Sequence, residues 1–308
     1  MNTQKITFRN IAWDNAGILL FPENFDENKK YETIISMHPI GSCKEQTAGN
    51  VYGKALAEAG FIVLAFDASF QGESGGAPRY IENPHLRTED VRYAIDYLET
   101  LPYVNADKIG ILGICGGGGY SLNIAMTERR IKAVVSITGV NFGRLLRDGF
   151  AGGNPMEVLD NVTKQRSAEA AGADLLTINM LPDSVEAGKE AGIKDIDVLE
   201  ATDYYKTSRG HAEGGATSAV YSHMAAGMGW DAFYLSETLL TQPILVIIGD
   251  KPGGFGAYRD GFEIVRRAAS QKKELLIVEG YSHYDLYDQP EPVKQALEKV
   301  IPFFRENL

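Results

Sequence analysis

Along the chain, short uninterrupted apolar runs alternate with segments whose apolar residues recur every three to four positions. "YETIISMHP" and "GFIVLAFDAS" are runs of the kind that strands buried on both faces require. Between them, "NVYGKALAEAG" puts Tyr52, Leu56 and Ala59 on one helical face and ends at Gly60, a residue suited to a helix C-terminus. After a polar loop, Thr88 predicts a helix N-cap, and Val91, Ala94, Ile95 and Leu98 a core-facing stripe. The unit repeats through "KIGILGICGGGGYSLNIA" and "IKAVVSITGV", then through "QPILVIIGD", a helix near "YRDGFEIVRRAA" and the strand "ELLIVEG". A last helix, begun by Pro292, sets Val293, Ala296, Leu297, Val300, Ile301 and Phe304 on one side. This alternation predicts an α/β fold of mostly parallel strands joined by crossover helices.

Residues 141–240 break the rhythm. "NPMEVLDNVTKQRSAEAAGA" and "ATSAVYSHMAAGMGWDAFYLSETLL" read as helices joined by Gly-rich turns. The expected organisation is a core of residues 1–140 and 241–308 carrying a mainly helical insertion over 141–240. An insertion there overhangs the carboxyl edge of the sheet, where open α/β folds bind ligands, so it is expected to be a cap. Its Phe142, Phe150, Tyr204, Tyr205, Tyr221, Met224, Met228, Trp230, Phe233 and Tyr234 either line an apolar acyl pocket or form the cap's own core or an oligomer contact. An apolar cap also leaves a homodimer open.

Charge narrows the partners. The 308 residues carry a formal net charge of -11, which repels a phosphate backbone and argues against nucleic acid. No basic-then-apolar leader opens the chain, and no apolar run approaches the roughly eighteen residues of a membrane span. A soluble cytoplasmic protein is expected. Cys43 and Cys115, the two cysteines, are too few for a disulfide framework and read as free thiols. No cluster has metal-ligand spacing, and neither metal nor organic cofactor is expected.

The chemistry gathers at "GICGG". Gly113, Ile114, Cys115, Gly116 and Gly117 spell G-x-C-x-G between a strand and a helix, the spacing of a nucleophile elbow with sulfur in place of a serine hydroxyl. Glycines at the flanks remove collisions that a sharp strand-to-helix turn would create, and the helix N-terminus favours thiolate over thiol. The segment lacks the G-x-G-x-x-G spacing of a dinucleotide turn and the Gly-Lys-Ser/Thr of a P-loop. A merely buried structural cysteine remains the alternative.

An elbow nucleophile is followed in chain order by an acid and a histidine, each after a later strand. Asp250 follows "ILVIIG" and His283 follows "LLIVEGYS". His85, His211 and His223 fall in loop or insertion segments and read as solvated or locally bonded. After the first buried strand, His38-Pro39-Ile40-Gly41 offers the Ile40 amide as one oxyanion donor, with the Gly116 amide as the other. His38 itself reads as loop-shaping and Cys43 as a small buried thiol. Asp67 reads as a turn aspartate that accepts backbone bonds, and Arg79 as the partner of a nearby acid.

Together "HPIGSCKEQTAG", "FDASFQGESGGAPR", "RTEDVRYAIDYLETLPYVNADKIGILGICGGGGY" and "GYSHYDLYD" resemble the dienelactone-hydrolase-like branch of the α/β-hydrolases, across nearly the whole chain outside the insertion. The resemblance implies an eight-stranded, mostly parallel sheet, a Cys-His-Asp triad and cleavage of a small-molecule ester, lactone or thioester through an acyl-thioester intermediate. It matches Cys115 to the nucleophile and His283 to the base. Many relatives carry the acid a few residues further into its loop, which here reads "GGFG", so Asp250 is the nearest carboxylate, with Asp285 and Asp260 in reserve. Glu45 lies near the position of a glutamate that holds the cysteine in dienelactone hydrolase. An acyltransferase or thioesterase would use the same triad, and a silent binding protein would keep only the fold.

Overall fold

The computed structural model describes residues 2–150 and 154–308, with the side chain of Phe150 outside that set. Strands form where the apolar runs lie: β3 (Tyr31–Met37), β4 (Ile62–Phe66), β5 (Val104–Ile114), β6 (Ile131–Ile137), β9 (Ile244–Lys251) and β10 (Lys273–Ser282). Two strands precede them, β1 (Asn2–Arg9) and β2 (Asp14–Phe21). The eight build one sheet in the order β1-β2-β4-β3-β5-β6-β9-β10, parallel from β4 to β10 and antiparallel at β1 and β2.

The central strands are buried on both faces, with Ile34, Ile35, Leu64, Ile111, Val134 and Ile247 inaccessible to solvent. Each such side chain contributes about 1.5–3 kcal/mol when removed from water. The stripe Val91, Ala94, Ile95 and Leu98 is equally buried, as are Ala296, Val300 and Phe304 of the last helix.

Some boundaries differ from expectation for local reasons. The helix expected to start at Thr88 runs over Pro84–Glu99, because Asn83 caps it by accepting from the amides of His85 and Leu86 and Pro84 takes the first turn. The last helix, Pro290–Asn307, begins two residues before Pro292 for the same proline preference. "NVYGKALAEAG" winds first as a π-type turn over Thr47–Gly53 and then as Lys54–Glu58.

Between β6 and β9 the insertion holds the expected helix Pro155–Ala170, the shorter Val185–Glu190, and Ile196–Lys206. "ATSAVYSHMAAGMGWDAFYLSETLL" is not one helix. Left-handed backbone at Thr217 and Leu235 interrupts it, and Ser218–Val220 (β8) pairs with Thr177–Asn179 (β7) in a two-stranded ribbon. Arg144 fastens the insertion to the core: its Nη2 lies 2.5 Å from Oδ2 of the fully buried Asp260 on the helix Ala257–Arg267. No described helix is long and apolar enough to cross a membrane.

Candidate active site

β5 stops at Ile114 and the helix Gly116–Thr127 starts at once, leaving Cys115 between them at φ 54° and ψ −122°. A non-glycine residue there is strained and persists only if its surroundings fix it. They do. The Cys115 amide donates to the Ile137 carbonyl at 3.0 Å, and its carbonyl accepts from Gly118 at 2.9 Å and Val140 at 3.0 Å. The flanking glycines follow from the same geometry. A Cβ on Gly113 would overlap the Gly117 carbonyl, and one on Gly117 would come within 2.5 Å of the Met37 carbonyl.

The Ile40 loop lies against the elbow so closely that a Cβ on Gly116 would overlap the Ile40 side chain. The amides of Gly116 and Ile40 both act on the Cys115 sulfur in the sense that favours thiolate. Beneath them His38 is saturated: Nδ1 lies 2.7 Å from the Pro39 carbonyl, while Nε2 accepts from the Ala68 amide at 3.0 Å and lies 2.9 Å from Arg87 Nη1. Burial and Arg87 hold its pKa well below the ordinary range. It shapes the loop, and no free nitrogen remains for proton transfer.

Burial outweighs the helix N-terminus at Cys115. Cys115 is 4% exposed, and the loss of solvent pushes its thiol up to about 11, against the lowering expected from its position. His283, in the turn after β10, is also buried, and burial alone drops its pKa to about 3. The resting pair is thus a neutral thiol and a neutral imidazole. Between them stands Tyr287, which sequence reasoning passed over. Its hydroxyl lies 3.4 Å from His283 Nε2 and acts on the Cys115 thiol as well. Tyr204, Tyr205 and Tyr284 pack with Tyr287 as an aromatic cluster beside the imidazole.

The carboxylates are distributed otherwise than chain order suggests. Asp250 is exposed at the end of β9, where Oδ1 accepts from the Gly280 amide at 2.7 Å. Asp285 Oδ2 accepts from the Ser282 amide at 2.9 Å, and Asp260 is committed to Arg144 and the Asn141 amide. His283 Nδ1 has no hydrogen-bond partner among the described residues. Asp197, at the start of the insertion helix Ile196–Lys206, is 1% exposed and lines one narrow cleft with His283. Its segment carries no motif, and only its burial reveals it.

Above the sulfur lies a cavity of about 40 Å³ walled by Ile40, Leu145, Met180, Tyr205, Phe255 and Tyr284. Met180 also borders a larger apolar cavity of about 260 Å³ with Phe142, Leu146, Val158, Met224 and Met228. Tyr221 lines that space too, whereas Tyr204, Trp230 and Phe233 are core residues and Tyr234 is exposed. The insertion's aromatic and Met-rich supply therefore divides between pocket and core.

Other polar clusters are structural. Donor atoms of Cys43, Glu45 and Asp67 lie within 4.8 Å of one another, but the buried Lys44 ammonium is already 2.7 Å from both carboxylates. Asp67 also accepts from the amides of Lys44 and Glu73, as its turn position predicts. Burial pushes the Cys43 thiol up to about 12. Among the described residues Arg79 pairs with no acid: it donates to the carbonyls of Gly72, Ser74 and Gly76. His85 and His211 are exposed and His223 is half-buried.

Residues 90–194, which include the elbow, match the family model for the BAAT / acyl-CoA thioester hydrolase C-terminal region. Over its whole length the chain is 37% identical to all of the Escherichia coli K12 protein YcjY. It is 34% identical to PA2218 of Pseudomonas aeruginosa over 99% of this chain and 81% of that one. The crystal structure of PA2218 superposes with a TM-score of 0.88, covering 100% of this chain and 94% of the other. Dienelactone hydrolase from Anabaena variabilis, 14% identical, shares the fold at a TM-score of 0.56 over 100% of this chain and 98% of that one. With the elbow, the strand order and these relatives in agreement, the chain belongs to one family with YcjY and PA2218 and has the α/β-hydrolase fold that dienelactone hydrolase shares.

Proposed function

We propose that the protein cleaves acyl thioesters, and related esters or lactones, through an acyl-enzyme on Cys115. The observation that carries this reading is the left-handed Cys115 at a helix N-terminus with the Gly116 and Ile40 amides directed at its sulfur. Because thiol and imidazole both rest neutral, proton transfer accompanies attack instead of preceding it. The Cys115 proton passes through the Tyr287 hydroxyl to His283 Nε2 as sulfur bonds to the acyl carbon. The carbonyl oxygen takes the electron pair and is held by the two amides. Collapse expels the leaving thiolate or alkoxide, which takes the proton from the imidazolium. Water then adds to the acyl-Cys115 carbonyl with His283 as base, and departure of the Cys115 sulfur releases the acid.

A thioester is favoured because exchange of one thioester for another is nearly isoenergetic, so the acyl-enzyme forms without a large uphill step. The family match points the same way, since its description names acyl-CoA thioester hydrolysis. The insertion serves as the cap, and the cavity beside Met180 receives the acyl chain, with apolar walls that select medium-length groups.

Intact-mass spectrometry across acyl thioesters, p-nitrophenyl esters and lactones tests the proposal. An added acyl mass on wild type, absent from Cys115→Ala, is expected. Full turnover by Cys115→Ala would overturn it, and product formed only with an added alcohol acceptor would make the protein a transferase.

A further inference from the structure

The loop that follows β9, residues 252–256, supplies no carboxylate of its own, yet it is built around two from the insertion. The Gly254 amide donates to Asp195 Oδ2 at 2.7 Å, and the Phe255 amide donates to Asp197 Oδ2 at 2.9 Å. A Cβ on Gly253 would overlap the Asp197 carboxylate, and one on Gly254 would come within 2.9 Å of Asp195 Oδ2. The first two glycines of "GGFG", Gly253 and Gly254, are thus required by acids that arrive from elsewhere in the chain.

Three buried atoms of residues lining one cleft lack a hydrogen-bond partner among the described residues: Asp197 Oδ1, His283 Nδ1 and Thr138 Oγ1. The carboxylate oxygen is an acceptor, and the ring nitrogen carries the proton when Nε2 is the base. The ionised carboxylate is a stronger acceptor for that proton than the Thr138 hydroxyl. The cleft, of about 10 Å³, is walled also by Gly249, Lys251 and Pro252. A buried acceptor and a buried donor each cost stability while unpaired, so a small closing movement that joins them is favourable.

We infer that Asp197, carried into the β9 loop by the insertion, is the carboxylate that orients His283, in the place where chain order suggests Asp250. The inference rests on the reading of Cys115 and His283 as nucleophile and base. Asp197 is a positioning residue: it accepts the Nδ1 proton, which fixes the tautomer with Nε2 free for the thiol proton, and it stabilises the imidazolium as that forms. The groups that face it are Asp195, Glu200 and Phe255's amide, with Lys251 on the cleft wall. Burial first, and the two acidic neighbours after it, raise its pKa to about 7. The same helix carries Tyr205 to the wall of the cavity over Cys115, so seating this helix completes both the base and the pocket.

The experiment compares Asp197→Asn, Asp197→Glu, Asp250→Asn and Gly253→Ala with wild type, using thioester turnover between pH 4 and 9 and the 15N chemical shifts of the His283 ring. Asp197→Asn is expected to lower kcat about 10²- to 10⁴-fold with little change in KM, and to shift the ring toward the wrong tautomer. Glutamate restores part of the rate. Gly253→Ala, which displaces the carboxylate without removing it, falls in parallel, and Asp250→Asn stays within about threefold of wild type. Near-normal turnover by Asp197→Asn, or a loss with unchanged ring shifts and pH profile, overturns the inference; so does a collapse confined to Asp250→Asn. Should Asp197→Asn fail to fold, the ring shifts and rate of Gly253→Ala decide it alone. A fully active Cys115→Ala would instead refute the nucleophile and leave the ring-shift result readable by itself.

Discussion

The Tyr287 hydroxyl lies 3.4 Å from His283 Nε2 and also acts on the Cys115 thiol, so the groups read as nucleophile and base are joined through a third side chain. At that length the contact with nitrogen is weak in the resting protein, and a short shift of the ring strengthens it. Tyr287→Phe removes the connecting oxygen while keeping the aromatic packing. We expect kcat for thioester hydrolysis to fall about 100-fold, at the low end for loss of a proton-transfer group, with thermal stability within about 1 kcal/mol of wild type. Alkylation of Cys115 slows as well, because the hydroxyl favours thiolate. Wild-type turnover by Tyr287→Phe would mean that the proton passes directly from sulfur to imidazole.

The buried thiols predict a particular pH dependence. Burial pushes Cys115 up to about 11 and Cys43 to about 12, so iodoacetamide labels neither appreciably at pH 7, and Cys115 labelling climbs steeply above pH 9. Stability follows the same shift. The unfolded Cys115 thiol ionises near the ordinary thiol value of 9.0 while the folded one keeps its proton, so the native state holds more protons and loses stability as pH rises from 9.0 to about 11. Cys115→Ala removes this share of the alkaline loss. Urea unfolding of the two proteins at pH 8 and pH 10.5 measures it; equal alkaline loss in both would contradict the assignment.

Much of this was legible in the residues because the patterns were periodic or chemically constrained. Ile34, Leu64, Ile111 and Val134 announce buried strands by composition, and the elbow announces itself because glycine alone fits beside Cys115. β1 was not singled out because it is an edge strand whose first half, Asn2–Lys5, is polar and exposed, so the alternation that Ile6 and Phe8 carry is too short to stand out. Asp197 escaped because its environment comes from a loop some fifty-five residues downstream, and no local signal records that meeting. Cys115 was placed correctly at a helix N-terminus, yet its protonation state depends on desolvation by distant neighbours, which a linear pattern does not encode.

Gly113 supplies a test of the elbow independent of the thiol chemistry. A methyl group there would overlap the Gly117 carbonyl and approach Ser121 Oγ to 2.5 Å, and the backbone contact cannot be relieved by a rotamer change. Gly113→Ala therefore has to move the start of the helix that holds Cys115. We expect a stability loss of about 1–3 kcal/mol, typical of overpacking, and a fall in kcat/KM of at least about 100-fold as the Gly116 amide leaves its alignment. Urea unfolding and thioester turnover separate the two effects. Normal turnover in a destabilised protein would show that the alignment tolerates the shift.

Arg144 and Asp260 tie the insertion to the core through a buried pair, with Nη2 and Oδ2 2.5 Å apart and the carboxylate fully shielded from solvent. The Asn141 amide also donates to Oδ2, and burial raises the carboxyl pKa against the opposing pull of Arg144. Arg144→Ala leaves that carboxylate without its nearest cation, and removal of one partner from such a pair costs about 3–5 kcal/mol. Because the guanidinium also donates to the Phe255 carbonyl, the loss reaches the loop that cradles Asp197. We therefore expect Arg144→Ala to destabilise the fold and to lower kcat together. Adding Asp260→Asn removes the stranded charge, so the double variant should regain part of the stability while kcat stays low, since the link to Phe255 is still missing. Recovery of both would locate the whole effect in the ion pair, and recovery of neither would mean that Arg144 acts chiefly by packing.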